Sequence, residues 1–195
     1  METKNKLDIK TFWENGVSYN EYIQEATKRF EETKDQPEND YHEYYRLGLQ
    51  RMERMFTKYS PAEEDLKKLQ EKNFNGKILI ITEPWCGDAS QAVPVLFKFF
   101  EGRNEVKVTY RDQEPSLIED FQTNGSNSIP IVVILDSELN VITHWGPRPK
   151  PALEFLKRFK EDPENYPREQ FYVDLQTYYA KNRGKDTITE ILDLL

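Results

Sequence analysis

A single cysteine lies where local structure can activate a thiol. Cys86 follows the apolar run ILIIT and is predicted to open an α-helix that continues through DASQAVPVLF. The free N–H groups and the dipole at a helix N-terminus favour a negative charge on sulfur. There the pKa of a thiol can fall from ~8.5 to roughly 3.5–7.5, which yields the nucleophilic thiolate at neutral pH. The position of Cys86 therefore indicates thiol chemistry.

The neighbours of Cys86 modify this expectation. Trp85 would shield one side of the sulfur, and Gly87 would let another chain's backbone come close. Asp88 suits the first turn of a helix, an interpretation that we prefer to a general-base role. The same carboxylate would push the pKa of the thiol upward. The sequence leaves the sign of the net shift open.

The segments around Cys86 alternate between strand and helix patterns. Continuous apolar runs predict buried strands at residues 76–83 and 129–136, and further strands are predicted at 105–112 and 141–146. Helices are predicted at 88–102, 115–125 and 149–160, the second with Ser116 and Glu119 as a capping box. The order β-α-β-α-β-β-α predicts a parallel first crossover and a final antiparallel hairpin. The fold class is α/β, a mixed central sheet flanked by helices.

Helical segments precede and follow this α/β unit. SYNE at 18–21 is a capping box, KDQPENDY at 34–41 is a loop, and an apolar stripe runs through residues 45–59. Ser60 and Pro61 predict a helix N-cap and first helical position, and two more helices are predicted in the tail. We predict an N-terminal helical extension over 1–70, packed on an α/β domain over 71–160, and a C-terminal helical tail over 161–195.

The composition excludes several kinds of partner. The chain has 195 residues and a net charge of −8, which argues against nucleic acid or an anionic membrane as the main partner. It has no run of eighteen apolar residues that would span a membrane. The sequence does not indicate an oligomeric state.

The expected compartment and metal chemistry follow from the N-terminal segment and from the few Cys and His residues. The N-terminal METKNKLDIKTFWENG is unlike a secretory signal, and one cysteine allows no internal disulfide, so we expect the cytoplasm. Cys86, His42 and His144 are far apart in sequence and indicate no transition-metal site, although a carboxylate site stays open. No cofactor is expected.

Several motifs together resemble the thioredoxin superfamily. WCGDA at 85–89, followed by Pro94, resembles the family's WCGPC active-site helix with its kinking proline. RDQEP at 111–115 is similar to the family's Asp-Gln-x-Pro turn, and NSIPIVVIL at 127–135 looks like its Ile–cis-Pro segment. The likeness covers about residues 70–160. The WCGDA variant with a helical N-terminal extension resembles a bacterial thioredoxin-like subfamily.

The resemblance implies a compact site. Cys86 would be the attacking thiol. Ile129 would offer its backbone N–H and C=O to an extended substrate segment, and Pro130 would be cis and pack over the cysteine. Trp145 and Gly146 would close the groove, as the family's loop after the hairpin does.

Residues next to the implied groove have alternative roles. Arg148, in WGPRP, would hold an anionic substrate group or steady the thiolate, and a solvated surface charge is an equal alternative. His144 is interpreted as a strand-surface residue. Trp145 is interpreted as packing or groove lining rather than a specific ligand contact.

The sequence also departs from the family pattern. Ala89 replaces the second cysteine, and Ser90 cannot form a disulfide, so the usual dithiol cycle is impossible. Ile80 occupies the place of the family's buried acid. The two departures are consistent with each other, because a protein without a resolving cysteine needs no base to deprotonate that thiol.

Two hypotheses of different classes follow. The first is a thiol oxidoreductase that works by monothiol–disulfide exchange at Cys86 on protein disulfides or low-molecular-weight thiols, resolved by an external thiol. Oxidation of Cys86 to a sulfenic acid, followed by condensation with a thiol, is a related route. The second is a redox-inactive binding module for a partner protein or small molecule, in which Cys86 is incidental.

Overall fold

The structure, a computed structural model, describes residues 8–36 and 38–195. Residues 1–7, which begin the segment judged unlike a secretory signal, and Pro37, in the predicted loop, lie outside the described residues. Every helix in the described part is too short or too polar to serve as a membrane span.

The central sheet has four strands, β1 (Lys77–Thr82), β2 (Val106–Tyr110), β3 (Ile131–Leu135) and β4 (Val141–Trp145). Their order in the sheet is β2-β1-β3-β4. β1 pairs parallel with β2 and antiparallel with β3, and β3 pairs antiparallel with β4. The predicted parallel crossover and final hairpin are confirmed. Every residue of β3, and all of β1 after Lys77, is buried, which explains why these strands read as continuous apolar runs.

Eight α-helices flank the sheet in the described chain: α1 (Ile9–Glu14), α2 (Tyr19–Glu32), α3 (Asp40–Lys58), α4 (Glu63–Lys72), α5 (Ala89–Phe100), α6 (Lys150–Glu161), α7 (Arg168–Asn182) and α8 (Lys185–Leu194). α3 packs on α5 and α2, and α8 contacts α4, α5 and β4. The α/β class with a mixed, helix-flanked sheet is therefore confirmed. The predicted capping box of α2 is also present, with Ser18 and Glu21 bonding reciprocally.

The two helices that close the chain have different burial partners. α8 contributes Ile188, Ile191 and Leu192 to the main core. α7 instead packs on α6 in a second apolar cluster, formed by Ala152, Tyr166, Phe171, Leu175 and Tyr179. The tail is thus buried partly on the main core, through α8, and partly on α6, through α7.

Two predicted helix starts are wrong. α4 begins at Glu63 with Ala62 as N-cap, whereas Ser60 and Pro61 precede the helix. Three acids in the first turn stabilise this helix start without a side-chain cap.

The predicted helix over 115–125 is only a 3₁₀ turn, Leu117–Asp120. The expected capping box is absent, and the Ser116 hydroxyl instead donates to the carbonyl of Arg111 at 2.5 Å. Leu117 and Ile118 are buried, which accounts for the apolar pattern.

Candidate functional site

Cys86 lies in the turn between β1 and α5. Its N–H donates to the carbonyl of Glu83 at 3.0 Å, and its carbonyl accepts from Ser90 N at 3.0 Å. The helix itself begins at Ala89, so the cysteine precedes the first helical residue rather than opening the helix. The backbone N–H groups of Asp88 and Ala89 still interact with the sulfur and act to lower the pKa of the thiol.

The thiol is protonated and mostly covered. Cys86 is 6% exposed, and its sulfur donates to the carbonyl of Ile129 at 3.5 Å. Burial, followed by the charge of Asp88, raises the pKa of Cys86 to about 12, against the weaker opposing effect of the backbone N–H groups. The helix N-terminus therefore does not lower this pKa, because desolvation outweighs it. The Ile129–Pro130 bond is cis, as expected.

Asp88 is the centre of a buried polar cluster. Its Oδ1 accepts from the Tyr179 hydroxyl at 2.7 Å, and its Oδ2 pairs with Arg148 Nη2 at 2.6 Å. Although Asp88 is the N-cap residue of α5, its side chain makes no cap hydrogen bond. Burial acts to lower the pKa of Arg148, but Asp88 outweighs it and the net pKa is raised. Arg148 is thus a partly buried partner of Asp88 and not a solvated surface charge.

Glu83 is a buried acid that the sequence analysis did not identify. It is fully buried, its Oε2 accepts from Arg29 Nη1 at 2.7 Å, and its Oε1 accepts from Asp112 N at 2.7 Å. These bonds connect the end of β1 to α2 and to the turn after β2. Burial raises the pKa of Glu83 despite both bonds. An acidic residue directly after the apolar run ILIIT, three residues before Cys86, is the sequence pattern that could have revealed Glu83.

Trp85 forms the rim of the site. Its indole N–H donates to Asp112 Oδ2 at 3.3 Å, and the Arg111 guanidinium lies 4.7 Å from a ring centroid of Trp85. Tyr41 contacts it edge to face at 5.7 Å. These contacts hold the indole beside the turn of Cys86.

Gly87 faces side chains from two flanking helices. A Cβ on Gly87 would lie 3.5 Å from Nη1 of Arg51, on α3, and 3.7 Å from Nε2 of Gln176, on α7. Another chain's backbone, which was expected to come close at Gly87, would therefore meet the side chains of Arg51 and Gln176.

Trp145 and Gly146 lie outside the cleft wall that they were expected to form. The buried Trp145 donates its indole N–H to Glu190 Oε2, on α8, at 2.7 Å. Gly146 has φ +130, and a Cβ there would come 2.2 Å from the carbonyl of Pro130, so only glycine fits. Trp145, Gly146 and Pro130 do not line the cleft.

The cleft beside Cys86 has a volume of about 510 Å³. The sequence-predicted residues Trp85, Cys86, Gly87, Asp88, Ile129 and Arg148 line it. The remaining lining residues were not predicted, and they are Tyr44, Leu47, Arg51, Arg111, Ser128, Arg168, Tyr172, Leu175 and Gln176. Most of these belong to α3 and α7, so the flanking helices supply much of the wall.

The charge of the cleft is positive. Its lining contains four arginines and one acid, Asp88. Arg111 pairs with Asp112 at 2.6 Å, whereas Arg51 and Arg168 have no ion pair among the side chains that the structure describes. Burial, and then the neighbouring Arg54, lower the pKa of Arg51, and together they outweigh the opposing charges of Asp88 and Glu43.

Other candidate groups lie elsewhere. The His144 ring contacts Phe121 edge to face at 5.4 Å and is absent from the cleft lining. No cluster of three or more His, Cys, Asp or Glu side chains that could hold a metal ion occurs in the described part of the chain.

Comparisons with known proteins identify the fold. A family model described as thioredoxin matches residues 35–160. No curated protein matches the sequence. The crystal structure of an HIV epitope-scaffold has a TM-score of 0.64 at 13% identity, over 96% of this chain and 97% of that chain. A protein of unknown function from Pseudomonas aeruginosa has a TM-score of 0.60 at 15% identity, over 92% and 91%.

These matches extend beyond the sheet. The family match starts between α2 and α3, so it includes α3 and α4 as well as the strands. Both solved structures cover nearly the whole chain, so the flanking helices are part of a shared architecture. At these identities the likeness is one of fold alone.

Proposed function

The chain belongs to the thioredoxin family, and on that premise we propose that it is a binding module for a small organic anion, held in the cleft beside Cys86. One observation carries the proposal: four arginines and a single carboxylate line this cleft in a chain whose net charge is −8. A cluster of cations against the overall charge of a protein is typical of an anion site.

The state of the thiol favours binding over exchange. Exchange needs a thiolate, and a pKa of about 12 keeps Cys86 protonated at neutral pH. Ala89 and Ile80 replace the resolving cysteine and the family's buried acid. A family scaffold can keep its fold while the function resides in a different set of contacts.

The size and rim of the cleft indicate the kind of ligand. About 510 Å³ lies within the ~300–1,000 Å³ that is usual for small-molecule sites. Tyr44 and Tyr172 line the cleft and are 45% and 44% exposed, and Trp85 lies beside them. Aromatic side chains at a pocket mouth favour a ligand with a flat apolar part in addition to its anionic group.

Binding of simple aromatic anions tests the proposal. Benzoate and phenyl phosphate are titrated into ¹⁵N-labelled protein, with benzyl alcohol as the neutral control. We expect both anions to shift the amide signals of Gly87, Ser128 and Gln176 with dissociation constants of roughly 1 mM, and benzyl alcohol to bind much more weakly. No shifts, or equal shifts with benzyl alcohol, would contradict anion binding.

Monothiol exchange is the second candidate, because the Cys86 side chain lines the cleft next to the Ile129 backbone. In this reaction the thiol loses its proton to solvent, and the thiolate attacks one sulfur of a small disulfide. A mixed disulfide with Cys86 forms and the other sulfur leaves as a thiolate. A second external thiol then reduces the mixed disulfide and restores Cys86.

Mass spectrometry distinguishes the two candidates. Incubation with an oxidised small thiol at pH 7 should leave the protein mass unchanged if the protein only binds anions. Stoichiometric addition of one thiol, abolished in Cys86→Ser and reversed by reduced thiol, would establish exchange instead. Unfolded protein, in which Cys86 is accessible, provides the positive control.

The proposed compartment and partners follow from the amino-acid composition. We propose a cytoplasmic protein, in which a single cysteine persists in the reduced state. Nucleic acid and membranes are not proposed as partners, since the net charge of the chain is −8 and the cluster of arginines lines a small cleft.

A further inference from the structure

Two hydrogen-bond donors converge above Gly87. Nη1 of Arg51 and Nε2 of Gln176 lie 3.5 Å and 3.7 Å from the position that a Cβ would take on this residue. They come from α3 and α7, helices that are far apart in sequence. The missing side chain of Gly87 leaves a space between them on the floor of the cleft.

A relay of side chains fixes the direction of the Gln176 amide. Arg54 Nη2 faces Gln91 Oε1 at a long 3.5 Å, and Gln91 Nε2 donates to Gln176 Oε1 at 2.8 Å. Because a guanidinium can only donate, it selects the orientation of Gln91, and Gln91 in turn selects that of Gln176. The Gln176 amide therefore presents its nitrogen, and not its oxygen, to the space above Gly87.

No described acid forms an ion pair with Arg51. The carboxylate oxygens of Asp88 bond to Tyr179 and Arg148, and the charges of Asp88 and Glu43 act on Arg51 without direct contact. The space above Gly87 is therefore bordered by two donors, one of them cationic. Such a space favours an acceptor, and a negatively charged acceptor fits best.

We propose that one oxyanion of the ligand, a carboxylate or a phosphate, binds directly above Gly87 between Arg51 and Gln176. This assignment rests on the proposed anion-binding function and names the subsite within the cleft. Gly87 contributes the absence of a side chain, and Arg54 and Gln91 are positioning residues that orient the donor of Gln176.

Two variants test the subsite with the same probes, benzoate and phenyl phosphate. Gly87→Ala puts a methyl group where the oxyanion would lie, at ordinary contact distance from Arg51 and Gln176, so the fold should persist. Gln176→Glu keeps the shape of the side chain and replaces the donor with an acceptor. Thr177→Glu adds the same charge to an exposed neighbouring residue of α7 and is the matched control.

Calorimetric titration should give at least a tenfold loss of affinity in Gly87→Ala and Gln176→Glu, and less than a twofold change in Thr177→Glu. If only one probe loses affinity in both variants, that probe identifies the oxyanion. Benzoate would indicate a carboxylate, and phenyl phosphate would indicate a phosphate. If the wild type binds and both variants bind equally well, the subsite is wrong while the proposed function stands. If the wild type binds neither probe, the proposed function and the subsite both fail.

Discussion

Replacing Asp88 with asparagine should make Cys86 more reactive. The carboxylate raises the pKa of the thiol, and it also engages Arg148, whose charge acts to lower that pKa. Asparagine removes the negative charge and releases the guanidinium, while its side-chain oxygen still accepts from the Tyr179 hydroxyl. Both electrostatic changes therefore favour the thiolate.

The size of the effect follows from the position of the pKa. At pH 8 a pKa of about 12 leaves about one thiol in ten thousand ionised, against about one in ten for the usual value of 9.0. Thiolate nucleophilicity rises with pKa, with a coefficient of ~0.4–0.5, so the wild type should react with disulfides roughly 30- to 60-fold more slowly than a free cysteine. A neighbouring charge shifts a pKa by roughly one to three units, so Asp88→Asn should react roughly 3- to 60-fold faster than the wild type.

The assay is the rate of reaction with an aromatic disulfide that releases a coloured thiolate, measured between about pH 6 and pH 10. The wild-type rate should climb about tenfold per pH unit without a plateau, and Asp88→Asn should level off at lower pH. Glu63→Gln, at the exposed start of α4, changes the net charge equally and should behave as wild type. A wild-type plateau near neutral pH, or an unchanged rate in a folded Asp88→Asn protein, would refute the reasoning.

Three further substitutions test other contacts. Burial raises the pKa of Glu83 above its usual 4.5, so native stability falls as the pH rises above that value, and in urea titrations the advantage of wild type over Glu83→Gln should shrink as the pH rises above about 4.5. Glu190→Ala should lower the unfolding free energy by roughly 1–3 kcal/mol, because the buried indole N–H of Trp145 loses its acceptor; an unchanged urea midpoint would contradict this. Arg51→Met should equal or exceed the wild type in thermal stability, since it removes a partly buried cation that forms no ion pair among the described side chains, while losing benzoate affinity in titration.

The sheet was predictable because its determinants are local. Apolar runs such as residues 78–82 and 131–135 are long enough to be buried and too short for helices, and their spacing along the chain fixes a crossover and a hairpin. The Ser18 capping box was equally predictable, since both partners lie within one turn. The capping predictions at Ser60 and Ser116 were wrong because the same residue pattern also occurs where the helix starts later or where only a short 3₁₀ turn forms.

The site was predictable only where its residues belong to the family motif. Cys86, Ile129 and Pro130 were identified together because the motif spacing brings the turn and the cis bond together. Arg51 and Gln176 were missed, because an arginine and a glutamine on amphipathic helices read as solvated residues until the packing of α3 and α7 is known. Burial of the thiol could not be predicted for the same reason, since exposure depends on contacts between segments distant in sequence.

The helices that supply the ligand donors also affect the thiol, and this coupling connects the two properties of the site. α3 brings Arg51 and α7 brings Gln176 over Gly87, and Tyr179 of α7 donates to Asp88, whose charge raises the pKa of Cys86. The packing of α7 therefore positions both a ligand donor and the acid beside the thiol. Arg51 is a partly buried cation that forms no ion pair among the described side chains, and groups that cost stability concentrate at functional sites. We therefore explain Arg51 by the proposed oxyanion, whereas the protonated thiol of Cys86 needs no catalytic role.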